Sequence, residues 1–155
     1  MAGVGNVLRG DDGFGVEVAH VLQRLPAPNG VKVMDIGIGG IHLVQELHDG
    51  FDALVVVDAV ELERPPGTLA VILPTVREPD GPDDLADIHY ANPERAFMLA
   101  GALGVLPEIR WLVGCQPLDA DRVGEGLSLE VAAAVEPAAA EVRRIVTDLG
   151  VVWQP

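Results

Sequence analysis

Lysine, serine and cysteine each occur once in this chain, as Lys32, Ser128 and Cys115. Each scarcity removes a class of chemistry. A phosphate-cradling loop needs its lysine after a Gly-x-x-x-x-Gly run, and Lys32 follows no such run. No Gly-x-Ser-x-Gly elbow exists, and Ser128 stands ahead of a long apolar-periodic segment, where it reads as an N-cap. Cys115, at a strand end, reads as a small buried hydrophobe rather than a nucleophile. Serine and cysteine hydrolase chemistry is disfavoured. A single cysteine also excludes an intramolecular disulfide, fits a reducing compartment and predicts a cytoplasmic location.

Aromatic residues make up only 4% of the chain, so the core must be built from Val, Leu, Ile and Ala. No apolar run approaches the roughly 20 residues that a membrane span needs. The first residues are glycine-rich and acidic rather than basic and then apolar, so no signal peptide is expected. What is present describes a globule: 155 residues, 49% hydrophobic, with a mean hydropathy of +0.31. A single domain over residues 1–155 is expected, able to bury roughly 70% of its unfolded surface without staples. The formal net charge of −14 repels phosphate and argues against nucleic acid or anionic membrane as a partner. It suits a basic protein partner or a cationic ligand.

Periodicity predicts alternating strands and helices. Ala2 to Val4 reads as the end of a strand, followed by a helix over 15–25 and a strand over 31–36. A helix over 41–48 comes next, then an apolar strand over 53–57 that Asp58 ends, and a strand over 68–73. Residues 74–92 read as a long loop, followed by a helix over 93–103, a strand over 109–114 and a last helix over about 128–149, which Gly150 stops. This order implies a three-layer α/β/α sandwich around a mostly parallel, mixed five-stranded sheet. The strand over 68–73 follows its predecessor too closely for a helical crossover and is expected antiparallel to it. The first strand is unusually short, which suggests a chain start set a few residues late.

Two carboxylates interrupt a glycine-rich turn, Gly3-Val4-Gly5-Asn6-Val7-Leu8-Arg9-Gly10-Asp11-Asp12-Gly13-Phe14-Gly15. Such a turn ordinarily offers bare N–H groups to a phosphate, whereas two acids there repel an anion and invite a cation. In an open α/β sheet, ligands bind beyond the carboxyl ends of the strands. Asp11, Asp12 and Asp58 all follow parallel strands, so topology alone carries them to that edge. His89, in the long loop, is a third candidate ligand, and carboxylates with an imidazole suit a borderline divalent ion. The plainer readings are a helix cap for one of the paired acids, a turn former for Asp58 and a routine loop histidine. His42 and Glu46, spaced i, i+4, read as a solvated helix face; His20 and His48 have no neighbour pattern that singles them out.

With these residues in hand, the chain resembles the nickel–iron hydrogenase maturation endopeptidases from Gly3 to about Leu149. The carriers are the acidic turn, then Asp35-Ile36-Gly37-Ile38-Gly39-Gly40, Val55-Val56-Val57-Asp58-Ala59 and Pro66-Gly67-Thr68. His89 ahead of a helix, Val113-Gly114-Cys115-Gln116-Pro117 and Gly126-Leu127-Ser128 complete the series. The resemblance implies a peptidase that clips a short C-terminal tail from the hydrogenase large subunit once nickel is inserted. It assigns Asp12, Asp58 and His89 to the family's metal-binding positions, with nickel supplied by the substrate rather than held permanently. The partner it implies is the large-subunit precursor. At the second acidic position some relatives carry glutamate, one methylene longer than Asp12, and the first strand normally begins several residues earlier.

Two other readings remain. Gly3-x-Gly5 after a strand, with Asp35 ending the next, imitates a nucleotide-binding module, although the third glycine is misplaced and the acids would face the pyrophosphate. A non-catalytic chaperone that docks a hydrogenase subunit is the other.

Overall fold

The computed structural model describes residues 1–81 and 93–154. Its centre is a five-stranded sheet of β1 (Ala2–Val4), β2 (Met34–Gly37), β3 (Ala53–Ala59), β4 (Leu69–Ile72) and β5 (Ile109–Cys115), in the order β2-β1-β3-β5-β4. The first four in that order run parallel, and β4 lies antiparallel against β5. Helices α1 (Phe14–Gln23), α2 (Gly40–Leu47), α3 (Pro93–Ala102) and α4 (Leu129–Asp148) cover the two faces. None of the described helices is long and apolar enough to cross a membrane.

Side-chain alternation along β3 sorts the layers. Val55 and Val57 point into a cluster with Phe14, Val18 and Leu22 of α1 and Val131 and Val142 of α4. Leu54 and Val56 point the other way, toward Leu43 and Leu47 of α2 and Ala96 and Phe97 of α3. The α/β/α sandwich expected from the sequence is therefore the observed fold. Helix α1 lies very close to the sheet because position 15 is glycine. A Cβ there would come within 2.1 Å of the Val57 carbonyl oxygen. At the far end of α4, Gly150 (φ 93°) reverses the chain, and the N–H groups of Gly150 and Val151 bond the carbonyls of Thr147 and Val146 at 2.9 and 3.2 Å.

Three expectations need correction. The strand expected over 31–36 spans Met34–Gly37, because three-residue β1 supplies ladder partners only for Met34, Asp35 and Gly37. Asp58 does not end β3. The strand continues through it to Ala59 because β5 pairs with both, Asp58 opposite Gly114 and Ala59 opposite Cys115. Finally, β4 does run against the direction of β3 but does not pair with it, since β5 lies between them. The connecting loop crosses the end of β5, with Val60 N–H on the Cys115 carbonyl and Gly67 N–H on the Gln116 carbonyl, both at 2.9 Å.

Candidate active site

The acidic turn is shaped by backbone constraints before its carboxylates matter. Gly5 has φ 134°, and a Cβ at that position would lie 1.8 Å from the Asp12 carbonyl oxygen, so the turn closes only around glycine. Asn6 then folds the chain back on itself. Its side-chain oxygen accepts the Leu8 N–H at 2.9 Å, and its own N–H donates to Asp12 Oδ2 at 2.9 Å. A single 3₁₀ turn over Gly10–Gly13 follows, so that the two successive aspartates serve different surroundings.

Asp11 is buried, at 1% exposure, and saturated. It accepts the N–H groups of Leu118 (2.8 Å), Asp119 (3.0 Å) and Ser128 (2.6 Å), together with the Ser128 hydroxyl at 3.0 Å. Burial alone raises the pKa of its carboxyl, but the hydrogen bonds from Asp119, Ser128 and Leu118 outweigh it and hold the group below the usual value. Neither Asp11 nor Asp12 caps α1, whose N-cap position is Gly13. Ser128 does occupy the N-cap position of α4, yet its side chain makes no cap bond and turns to Asp11 instead.

Asp12 and Asp58 share a different environment. Both line a cavity of about 500 Å³ at the carboxyl edge of the sheet, walled by Val60, Ile72, Phe97 and Leu112 and edged by Glu61 and Glu94. Burial raises the Asp12 carboxyl, against the Asn6 N–H bond and the nearby Arg9 charge, which lower it. Asp58 is only 6% exposed. Burial pushes its carboxyl well up, the Asp12 charge adds to the rise, and one bond from the Ala59 N–H (2.9 Å) opposes it. Among the described residues, each of these two carboxylates accepts one backbone N–H and has a second oxygen without a hydrogen-bond partner. Such a pair holds a proton, a water or a cation in preference to two bare charges.

His89 lies outside the described residues, and among the described ones no three His, Cys, Asp or Glu side chains come close enough to hold a metal ion. His42 bonds Glu46 at 3.3 Å on the exposed face of α2, as its spacing predicts. His20 does have an acidic partner after all. It meets Asp35 of β2 at 2.9 Å, a long-range contact invisible to local pattern, and it engages the carboxylate that a nucleotide-binding reading needs free for a ribose. Cys115 is fully buried and its thiol is pushed up to about 11, chiefly by burial and then by the Asp11 charge, as befits a core residue.

Sequence reading missed two participants. One is the role of Asp11 as a tie between loops, whose only local signal is the buried-polar pairing later made with Ser128. The other is Gln116, 5% exposed, which takes the N–H groups of Leu62 (2.7 Å) and Arg64 (3.4 Å) on Oε1 and donates from Nε2 to the Pro117 carbonyl at 3.1 Å. Among the described residues, Asp11, Asp58 and Gln116 are the buried polar side chains, and all three sit at this one sheet edge.

Comparison with known proteins identifies the family. Residues 16–145 match the model of the hydrogenase maturation protease family. The hydrogenase expression/formation protein HupM of Azotobacter chroococcum is 36% identical over 160 residues, an alignment that covers all of this chain and 74% of that protein. Among solved structures, the hydrogenase 2 maturation peptidase of a Thaumarchaeota archaeon is 36% identical with a TM-score of 0.69, over 94% of this chain and 95% of that one. The maturating endopeptidase HybD of E. coli superposes with a TM-score of 0.76 at 25% identity, over 97% and 93% of the two chains. The chain belongs to the hydrogenase maturation protease family and is a peptidase of that class.

Proposed function

We propose that this peptidase removes a short C-terminal peptide from the nickel-loaded large-subunit precursor of a nickel–iron hydrogenase, and does so in the cytoplasm. The observation that carries the reading is the pair Asp12 and Asp58. These are two carboxylates, one from the turn after β1 and one from β3, both raised by burial and both lining one cavity. Two carboxylates alone make an incomplete cage for a divalent ion. In this reading His89 is the third ligand, and the substrate's own nickel arrives already carrying the rest of its coordination. The site then recognises a finished metal centre and leaves an empty one alone.

Binding of the substrate's cation ionises both carboxyls, and the chemistry follows from that state. A carboxylate of the pair can accept the proton of a water that attacks the scissile carbonyl and pass it to the leaving amine. The substrate's nickel holds the adjacent peptide bond in place and withdraws charge from its carbonyl oxygen.

The test is incubation of the protein with nickel-loaded and nickel-free precursor, followed by intact mass. Loss of a C-terminal peptide from the loaded form alone, abolished by Asp12→Asn and by Asp58→Asn, is the expected result. Equal cleavage of the nickel-free form defeats metal recognition, and full activity of either variant defeats the assignment of the pair.

A further inference from the structure

Gln116 lies in none of the roles above, although its environment is as specific as that of the two carboxylates. It directly follows β5, and its backbone is locked on both sides: its N–H bonds the Thr68 carbonyl and its carbonyl takes the Gly67 N–H, both at 2.9 Å. Its buried side chain then closes over the incoming half of the same loop through Leu62 and Arg64. All four hydrogen bonds of residue 116 to other elements go to the β3–β4 loop, and the remaining amide hydrogen bond, to Pro117, fixes which way the carboxamide faces. The loop needs holding. Glu63, between the two clamped residues, has φ 54°, a left-handed conformation that a side chain adopts only under outside constraint.

That loop contributes Val60 and Glu61 to the wall of the acidic cavity. We propose that Gln116 is a positioning residue: its buried carboxamide pins the β3–β4 loop beyond Val60, so that Glu61 is held in the wall against which the substrate peptide is laid beside Asp12 and Asp58. This rests on the reading of that cavity as the peptide site. The register of the sheet makes the consequence separable. Asp58 and Ala59 are held by their own pairing with Gly114 and Cys115, and Val60 by its N–H on the Cys115 carbonyl, so loss of the side-chain clamp frees the wall from Glu61 onward and leaves the carboxylate where it is. Substrate capture should suffer while the chemical step does not.

Two variants and one conservative control test this. Gln116→Leu removes the acceptor and keeps the volume; Leu62→Pro removes one of the donors from the loop and leaves the core intact. Gln116→Glu keeps an oxygen for both N–H groups. With nickel-loaded precursor as substrate, Gln116→Leu and Leu62→Pro are expected to raise KM about tenfold with kcat within about twofold, and Gln116→Glu to stay near wild type in KM. In Gln116→Leu, hydrogen exchange at the Leu62 and Arg64 amides is expected to accelerate while exchange in β3 is unchanged. Unchanged KM in a variant whose loop amides have been released overturns the proposal, as does a fall in kcat with KM intact. If Gln116→Leu does not fold, Leu62→Pro alone decides in the same way. A wild-type protein that leaves the loaded precursor whole defeats the reading of the cavity itself, and this inference with it. Cleavage by wild type with no KM effect in the variants defeats only the role of Gln116.

Discussion

The two flanks of the acidic turn contain the same side chain, buried Asp11 on one and half-buried Asp12 beside buried Asp58 on the other, and do opposite things with it. On the flank facing the 118–128 loop, Asp11 receives four hydrogen bonds and its pKa falls below the ordinary value. On the flank facing β3, Asp12 and Asp58 receive one each, repel one another and have raised pKa values. Asp11 and Asp58 are both buried, so burial does not decide between them. The number of donors does, and with it whether a carboxylate is finished structure or retains capacity for a ligand. Cavity size is no better a guide. A larger cavity, of about 620 Å³, lies at the opposite edge of the sheet and is lined mainly by aliphatic groups such as Met34, Leu47 and Val146.

The contrast can be broken at several points. The largest effect is expected on the unsaturated flank, where Asp12→Asn or Asp58→Asn should lower precursor processing on the order of 10³-fold, read by intact mass over a time course. Next comes the saturated flank. Asp11→Ala strands three backbone N–H groups and should cost about 3 kcal/mol of stability in urea unfolding. If Asp11→Ala instead leaves stability intact and abolishes processing, the division of labour between the two flanks is wrong.

A smaller effect of opposite sign is expected from Asp58→Asn, which should stabilise the fold by about 1 kcal/mol at neutral pH by removing an under-solvated charge. The pH dependence sharpens this point. Asp11, with its lowered pKa, contributes stability above the ordinary carboxylate range that is lost as pH falls through its folded value, and Asp11→Ala should flatten that acid limb. Asp58, with its raised pKa, favours folding while protonated. Its contribution is lost as pH rises from the ordinary range through the folded value, and Asp58→Asn should erase that decline. Unfolding curves between about pH 3 and about pH 8 should therefore part from wild type toward the high-pH end in opposite directions, Asp11→Ala below it and Asp58→Asn above it. A change of similar size and opposite sign to the Asp58→Asn stabilisation is expected at Cys115→Ala, a loss of about 1 kcal/mol with processing unchanged, since the thiol is packed in the core.

Much of this was legible in the residues and some was not, for identifiable reasons. Strand and helix periods fixed the layers, because Leu54 and Val56 alternate with Val55 and Val57 whatever lies beyond them. Topology brought Asp12 and Asp58 to one edge for the same reason. Sheet neighbours were harder: nothing in the local sequence of β4 says that β5, some forty residues later, inserts between it and β3. The distinction between Asp11 and Asp12 was beyond local reading altogether, because the donors that separate them come from residues 118, 119 and 128. Gln116 carried a readable motif without a readable purpose, since its partners at 62 and 64 are joined to it only by the crossing of a loop over a strand end.

The bonds of Asp11 also set an order of events during biosynthesis. Its partners lie 107 to 117 positions further along the polypeptide, so the first turn cannot reach its final shape while only the amino-terminal half has left the ribosome. Assembly of the acidic cavity must then await arrival of the last helix. A nascent chain interrupted before Ser128 would hold both groups of the pair and still lack the brace that separates them from their neighbour.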